Sequence, residues 1–255
     1  MTFSERVLLS LSRAPESTDY ISKGDNSSGG DALALALLHE AFPNFGQMVT
    51  GKRILDFGCG MGFQALALAR QCGCSVVGVE ANEATFLRAV AMSEAERMPK
   101  SFLFFVRELH KEMMGEFDIV ISQNSFEHFE DPCGILTQMK NLIKVSGKIL
   151  ITFGPPWFAP YGSHMHYFCR VPWINLLFSD ETVHRVRSYY RNDQSKPYEG
   201  LNRMTIAKFE SIIRDCGMLQ EMVHYTCVKR MNFFSKIPLL RELFINQVNA
   251  VLIKQ

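Results

Sequence analysis

Asp56, Glu80 and a histidine pair at 164 and 166 are the residues of this 255-residue chain whose types and settings could do chemistry. Asp56 lies in the run Ile-Leu-Asp-Phe-Gly-Cys-Gly-Met-Gly at 54–62, two positions ahead of the first of the glycines Gly58, Gly60 and Gly62, with Cys59 between the first two. Glycines let backbone N–H groups and the start of the next helix come close to a ligand. A carboxylate inside an apolar run is poorly explained as core and well explained as a ligand contact. Glu80, followed by Ala81, ends the apolar run Ser-Val-Val-Gly-Val. A carboxylate there can accept both hydrogen bonds of a ribose diol, which points to a nucleoside.

The histidine pair sits in an aromatic stretch at 154–168, Gly-Pro-Pro-Trp-Phe-Ala-Pro-Tyr-Gly-Ser-His-Met-His-Tyr-Phe. In extended backbone His164 and His166 face one side. They could shape an acceptor site or act as a base, or they could be packed residues of a cap. Trp157, Tyr161 and Tyr167 would supply substrate-pocket walls. A metal reading is weakest, because a third and fourth ligand at suitable spacing are missing. No metal is expected.

Alternating elements must position these residues. The apolar runs at 53–57, 75–80, 102–106, 117–122 and 148–153 read as buried strands. Helices are expected at 63–71, 82–96 and 131–143, with Ser146-Gly147 turning the chain into the fifth strand. Strands alternating with helices predict a parallel sheet covered on both faces. The stretch 155–202 lacks a clean period and holds both tryptophans, five of the seven tyrosines and three of the seven histidines. It reads as an inserted cap. An amphipathic helix at 205–216 and strand-like segments at 221–229 and 248–254 follow, the last two read as an antiparallel pair. The connection at 229–244 is apolar and basic; it could pack as a hairpin connection, line the acceptor pocket or touch a membrane surface. Ahead of the first strand, Asp31 could cap a helix at 32–41, and Tyr20 with the Gly/Ser loop at 23–31 could close over a ligand.

The glycine spacing leaves two cofactor classes to separate. A dinucleotide turn reads Gly-x-Gly-x-x-Gly, whereas here the third glycine comes one residue early. The chain resembles the class I S-adenosylmethionine-dependent methyltransferases in four stretches that occur in order. These are 54–62, Val-Gly-Val-Glu at 77–80, Phe-Asp-Ile-Val-Ile-Ser-Gln-Asn-Ser-Phe-Glu-His-Phe-Glu-Asp-Pro at 117–132, and Gly-Lys-Ile-Leu-Ile-Thr at 147–152. The resemblance implies a Rossmann-like α/β fold with a seven-stranded, mostly parallel sheet whose last strand is antiparallel. It implies S-adenosyl-L-methionine as cofactor. Asp56 would orient the methionine end and the glycine turn would admit it, because a Cβ there would clash. Glu80 would hold the ribose, Glu108 with Leu109 would meet the adenine, and Gln123 and Asn124 would border the sulfonium or the acceptor. His128 would be a base or would fix the loop after the fourth strand.

The expected layout is an N-terminal helical cover at 1–50, a cofactor-binding core at 51–154 and 204–255, and a cap at 155–203. The expected activity is in-line methyl transfer to an O, N or C atom of a small or medium organic acceptor, glycan- or lipid-linked molecules included. The alternatives are a non-catalytic S-adenosylmethionine-binding protein and an NAD-dependent oxidoreductase. A net charge of +1 speaks against phosphate-driven nucleic-acid binding. The seven cysteines are odd in number and lack a C-x-x-C pair, which fits a reducing, cytoplasmic setting. The short apolar run near the start is interrupted by serines and charges, so neither a signal core nor a transmembrane segment is expected.

Overall fold

A computed structural model of the chain describes residues 1–13, 30–194 and 196–255. Tyr20 and the loop at 23–29 lie outside the described residues. Among those described, seven strands form one sheet: β1 (Arg53–Phe57), β2 (Ser75–Val79), β3 (Leu103–Val106), β4 (Phe117–Gln123), β5 (Ile143–Phe153), β6 (Met218–Cys227) and β7 (Ile245–Lys254). Their order is β3-β2-β1-β4-β5-β7-β6. β1 to β5 pair in parallel, and β7 runs antiparallel to both β5 and β6. The Rossmann-like α/β architecture and its antiparallel end are therefore as expected. The short helix Pro238–Phe244 lies between β6 and β7.

Chain order reverses between β1 and β4. In open α/β sheets a ligand crevice forms outside the carboxyl ends of the strands at such a switch point. Asp56 lies near the end of β1 and Gln123 ends β4, so both reach that crevice.

Helices cover both faces, so β1 and β2 are buried at every position but the first. One face packs Ile54, Val76 and Ile121 against helices Gly30–Ala41 and Phe63–Gln71. The other packs Leu55, Val77 and Ile149 against Pro132–Leu142 and Ile206–Asp215. Helix Ile206–Asp215 places Ile206, Phe209, Ile212 and Ile213 inward, at the expected helical period. Its N-cap is Thr205, whose side chain accepts from the Lys208 N–H.

A third apolar cluster lies off the sheet. It joins Trp157, Met165, Phe168, Ile174, Val183, Val186 and Tyr198 of the cap to Leu8 of helix Phe3–Leu11. Arg191 ties the two together by donating to the carbonyls of Leu9 (2.8 Å) and Ser12 (2.6 Å). The first helix thus packs with the cap, whereas Gly30–Ala41 packs on the sheet.

Two local expectations need correction. Helix Gly30–Ala41 begins one residue before Asp31, so Asp31 lies in its first turn and does not precede it. β5 begins at Ile143, with no separate turn at 146–147. Phe117 pairs Ile143 and Ile119 pairs Lys148, so residues 144–147 bulge out between two paired stretches. A Cβ on Gly147 would sit 2.8 Å from the Ile143 Cβ, which shows how tightly the bulge folds on itself.

Candidate cofactor and acceptor site

Alternation along β1 puts Asp56 on the same face as Ile54, beneath helix Phe63–Gln71. That burial leaves the carboxylate 2% exposed. Oδ1 accepts a 2.7 Å hydrogen bond from the Gln64 side-chain amide. Oδ2, and the Gln64 Oε1 beside it, have no hydrogen-bond partner among the described residues. Burial raises the Asp56 pKa to about 7, against the Gln64 hydrogen bond, with the nearby Glu80 charge adding to the rise. A buried carboxylate with one oxygen unmatched is costly unless a cation or donor completes it.

The glycine turn crosses above. Gly58, Gly60 and Gly62 all have left-handed φ values, 77°, 55° and 82°. Glycine was expected here because a Cβ would clash with a ligand; at Gly58 and Gly62 the protein's own atoms supply a reason. A Cβ on Gly62 would lie 2.6 Å from the Phe105 ring, and one on Gly58 3.1 Å from the Ser125 side chain. The protein's own packing already requires them. Glu80 holds the turn: Oε2 accepts from the Gly60 N–H (3.0 Å) and Oε1 from the Asn82 N–H (2.8 Å). Each carboxylate oxygen can accept again. Asn82 caps the next helix, accepting from the Thr85 N–H.

Beyond β2, the Ala81 carbonyl accepts from Arg107, whose guanidinium is also 3.6 Å from Glu83. Glu108 is exposed, and Leu109 packs against the core. Phe105, on β3 three residues before Glu108, fills the space under Gly62 and Gly78.

On the other side of the switch point, Gln123 is half-buried and Asn124 exposed. Asn124 has φ 50° and donates its N–H to the Thr152 carbonyl at 2.8 Å. The turn at 126–128 is then clasped by the far end of the cap. The Asn202 side chain donates to the carbonyls of Phe126 and Phe129 (2.9 and 2.8 Å), and its N–H donates to the Glu127 carbonyl. His128 donates its Nδ1–H to the Gly200 carbonyl at 2.9 Å. Buried Glu127 accepts the Gly154 N–H at 3.3 Å.

The histidine pair does not share a side. The segment is a series of turns, and His164 has φ 54°. His164 donates Nε2–H to the Pro155 carbonyl (3.1 Å) and meets the His128 ring edge-on at 5.9 Å between centroids. His166 is exposed and lies edge-on to Tyr161 at 5.0 Å. The structure therefore brings together His128 and His164, and sets His166 apart. Trp157 is buried in the cap cluster against Tyr198. Tyr167 accepts from the buried Arg187 at 3.1 Å. Both belong to the inside of the cap, while Tyr161 stays half-exposed.

Residues 30–207 match the family described as Methyltransferase domain. The chain belongs to that family. Over 108 residues this methyltransferase-domain protein is 33% identical to the ubiquinone biosynthesis O-methyltransferase of Acinetobacter baylyi, covering 41% of its own length and 44% of the relative. It spans less than half the length of the curated relatives it matches. Solved structures share its class I fold. The Haemonchus contortus phosphoethanolamine N-methyltransferase 2 complex with S-adenosyl-L-methionine superposes with a TM-score of 0.56 at 18% identity, covering 99% of this chain and 56% of that one. The Synechocystis magnesium protoporphyrin IX methyltransferase with bound S-adenosylhomocysteine gives 0.53 at 15%, covering 88% and 81%.

The residues present in this methyltransferase-domain chain fit S-adenosyl-L-methionine, the cofactor of the class I type. Asp56 Oδ2 and Gln64 Oε1 lack the donors that an ammonium group would supply, and each Glu80 oxygen, already accepting one N–H, has room for a hydroxyl as well. Gln64, Phe105 and Asn202 carry this geometry without having been singled out in the sequence. Gln64 alone left a signal, as a polar residue opening the helix after the glycines. Among the described residues no cluster of three or more His, Cys, Asp or Glu could hold a metal ion, and no helix is long and apolar enough to cross a membrane.

Proposed function

We propose that this protein transfers the methyl group of S-adenosyl-L-methionine to an oxygen of a small or medium-sized organic acceptor. The observation that carries the reading is the buried, half-satisfied carboxylate of Asp56 beneath a glycine turn at the switch point of the sheet. The cofactor supplies an electrophilic methyl group on a sulfonium whose departure needs no protonation, so the protein's main task is alignment. Asp56 and Gln64 hold the ammonium end. The turn Gly58, Cys59, Gly60 and Gly62, whose own N–H groups are bound to the Val79 and Cys59 carbonyls and to Glu80, lets the cofactor lie close along the backbone, and Glu80 holds the ribose. Ala81, Glu108 and Leu109 border the adenine. Gln123 and Asn124 border the reacting end.

His128 is the base. Donation of Nδ1–H to Gly200 leaves Nε2 as the proton acceptor, suited to an acceptor hydroxyl. His164 positions it edge-on, and His166 with Tyr161 forms the rim. The name of the curated relatives, ubiquinone biosynthesis O-methyltransferase, supports oxygen over nitrogen or carbon as the acceptor atom. The division is a core at 51–154 and 204–255, a cap at 155–203 and an N-terminal cover at 1–50. A lipid-linked or glycan acceptor suits the half-exposed aromatic rim, and the cytoplasm suits the seven thiols.

Calorimetric titration tests the cofactor: S-adenosylhomocysteine is expected to bind and NAD to leave no heat. Tight NAD binding without S-adenosylhomocysteine binding would overturn the proposal. Labelled methyl transfer to a panel of phenols and amines then tests the atom, with label expected in the phenols.

A further inference from the structure

Helix Pro132–Leu142 turns one polar stripe toward the end of helix Ile206–Asp215. Cys133, Thr137 and Lys140 recur at the spacing that places side chains on one helical face. Lys140 donates to the carbonyls of Cys216 (2.8 Å) and Gly217 (3.0 Å). The last carbonyls of a helix lack internal donors, and a cation is favourable there, so this contact fixes how the helices meet. Thr137 donates its hydroxyl to the Cys133 carbonyl at 2.9 Å and lies 3.6 Å from the Cys216 sulfur. The outcome is a pair of sulfurs 3.4 Å apart from residues 83 positions apart in sequence.

Cys133 is exposed and Cys216 half-buried. The buried thiols, Cys59, Cys74, Cys169 and Cys227, lie deeper. Nothing in the proposed methyl transfer uses Cys133 or Cys216, and a residue chosen only for packing would not need two thiols in contact at the surface.

We propose that Cys133 and Cys216 form a redox modification site, closing to a reversible disulfide when the protein meets a hydroperoxide. One thiolate attacks the peroxide, the O–O bond breaks, and a sulfenic acid forms as the first water departs. The second sulfur attacks the sulfenic sulfur, and its proton leaves with the hydroxyl as a second water. Two thiols thus give up two electrons and two protons to one hydrogen peroxide, and a dithiol reverses the step by exchange. Contact with Cys216 pushes the Cys133 thiol up, which slows attack by that sulfur at neutral pH.

Hydrogen peroxide treatment of the full chain, followed by alkylation and non-reducing peptide mapping, tests the site. The expected result is loss of two alkylatable thiols, one cross-linked peptide pair joining 133 to 216, and recovery with dithiothreitol. Cys133→Ser and Cys216→Ser should each abolish the cross-link. Lys140→Met should slow it several-fold by loosening the seam. Retention of all the thiols, separate sulfinic acids at the two positions, or a dominant cross-link elsewhere would overturn the proposal.

Discussion

The two sides of the crevice are assembled over different distances along the chain. On the cofactor side, Asp56 meets Gln64 eight residues later and Glu80 meets Gly60 twenty residues earlier. On the acceptor side, His128 meets Gly200 across 72 residues, and Asn202 reaches Phe126 across 76. The first set closes once β1, the glycine turn and β2 have formed. The second exists only when the cap has docked. Cofactor affinity should therefore tolerate damage to the cap, whereas turnover should not.

The strongest way to break that contrast is Asp56→Ala. Removing the charged partner of an ammonium in a buried site should weaken S-adenosylhomocysteine by at least about 100-fold in calorimetry. A change below threefold would dissolve the cofactor side as drawn. Next in size, His128→Gln should lower kcat by roughly 100-fold while the S-adenosylhomocysteine Kd stays within about twofold. The rise of rate with pH that reports a deprotonated base should vanish with it. Equal losses in affinity and rate would mean that the two sides are not separable.

The pH dependence of binding sharpens the same contrast. The Asp56 pKa stands at about 7 in the free protein, and an ammonium binds its ionised form. Affinity should thus be flat above pH 7 and fall about tenfold per unit below it. In the free protein the sign is opposite for stability. The folded pKa lies above the unfolded one, so the contribution of this group is fully present below its ordinary value of 3.8 and is lost as pH rises to about 7. Asp56→Asn should flatten both profiles, and a persistent slope would assign the titration elsewhere. The smallest effect is expected at His166. Exposed and apart from His128, its replacement by alanine should change kcat/KM by no more than about twofold, and a tenfold loss would move it into the acceptor side.

Most of the strand and helix positions were legible because each is a local matter of period and punctuation. The runs at 53–57 and 63–71 coincide with β1 and the following helix, since a buried strand, a glycine turn and an alanine-rich helix leave few alternatives. Ser146-Gly147 misled for the opposite reason. A turn signal marks a change of direction, but whether strand pairing resumes on both sides depends on β4, which is remote in sequence. The glycines were read as positions where a Cβ would clash with a ligand, yet the Phe105 ring that takes the space under Gly62 comes from another strand of the protein itself. The histidines at 164 and 166 were assigned one side from an extended backbone that the fold does not adopt. A left-handed φ at His164 turned one of them toward His128.

By itself the sequence determined the alternation of strands and helices, the glycine turn and the two carboxylates beside it, because those features depend on neighbours within one βαβ unit. The tertiary structure decided which oxygen of Asp56 stays unmatched, which histidine faces His128, and which thiols touch. Each of these is a contact between surfaces brought together by packing, and a period or a spacing carries no record of its partner.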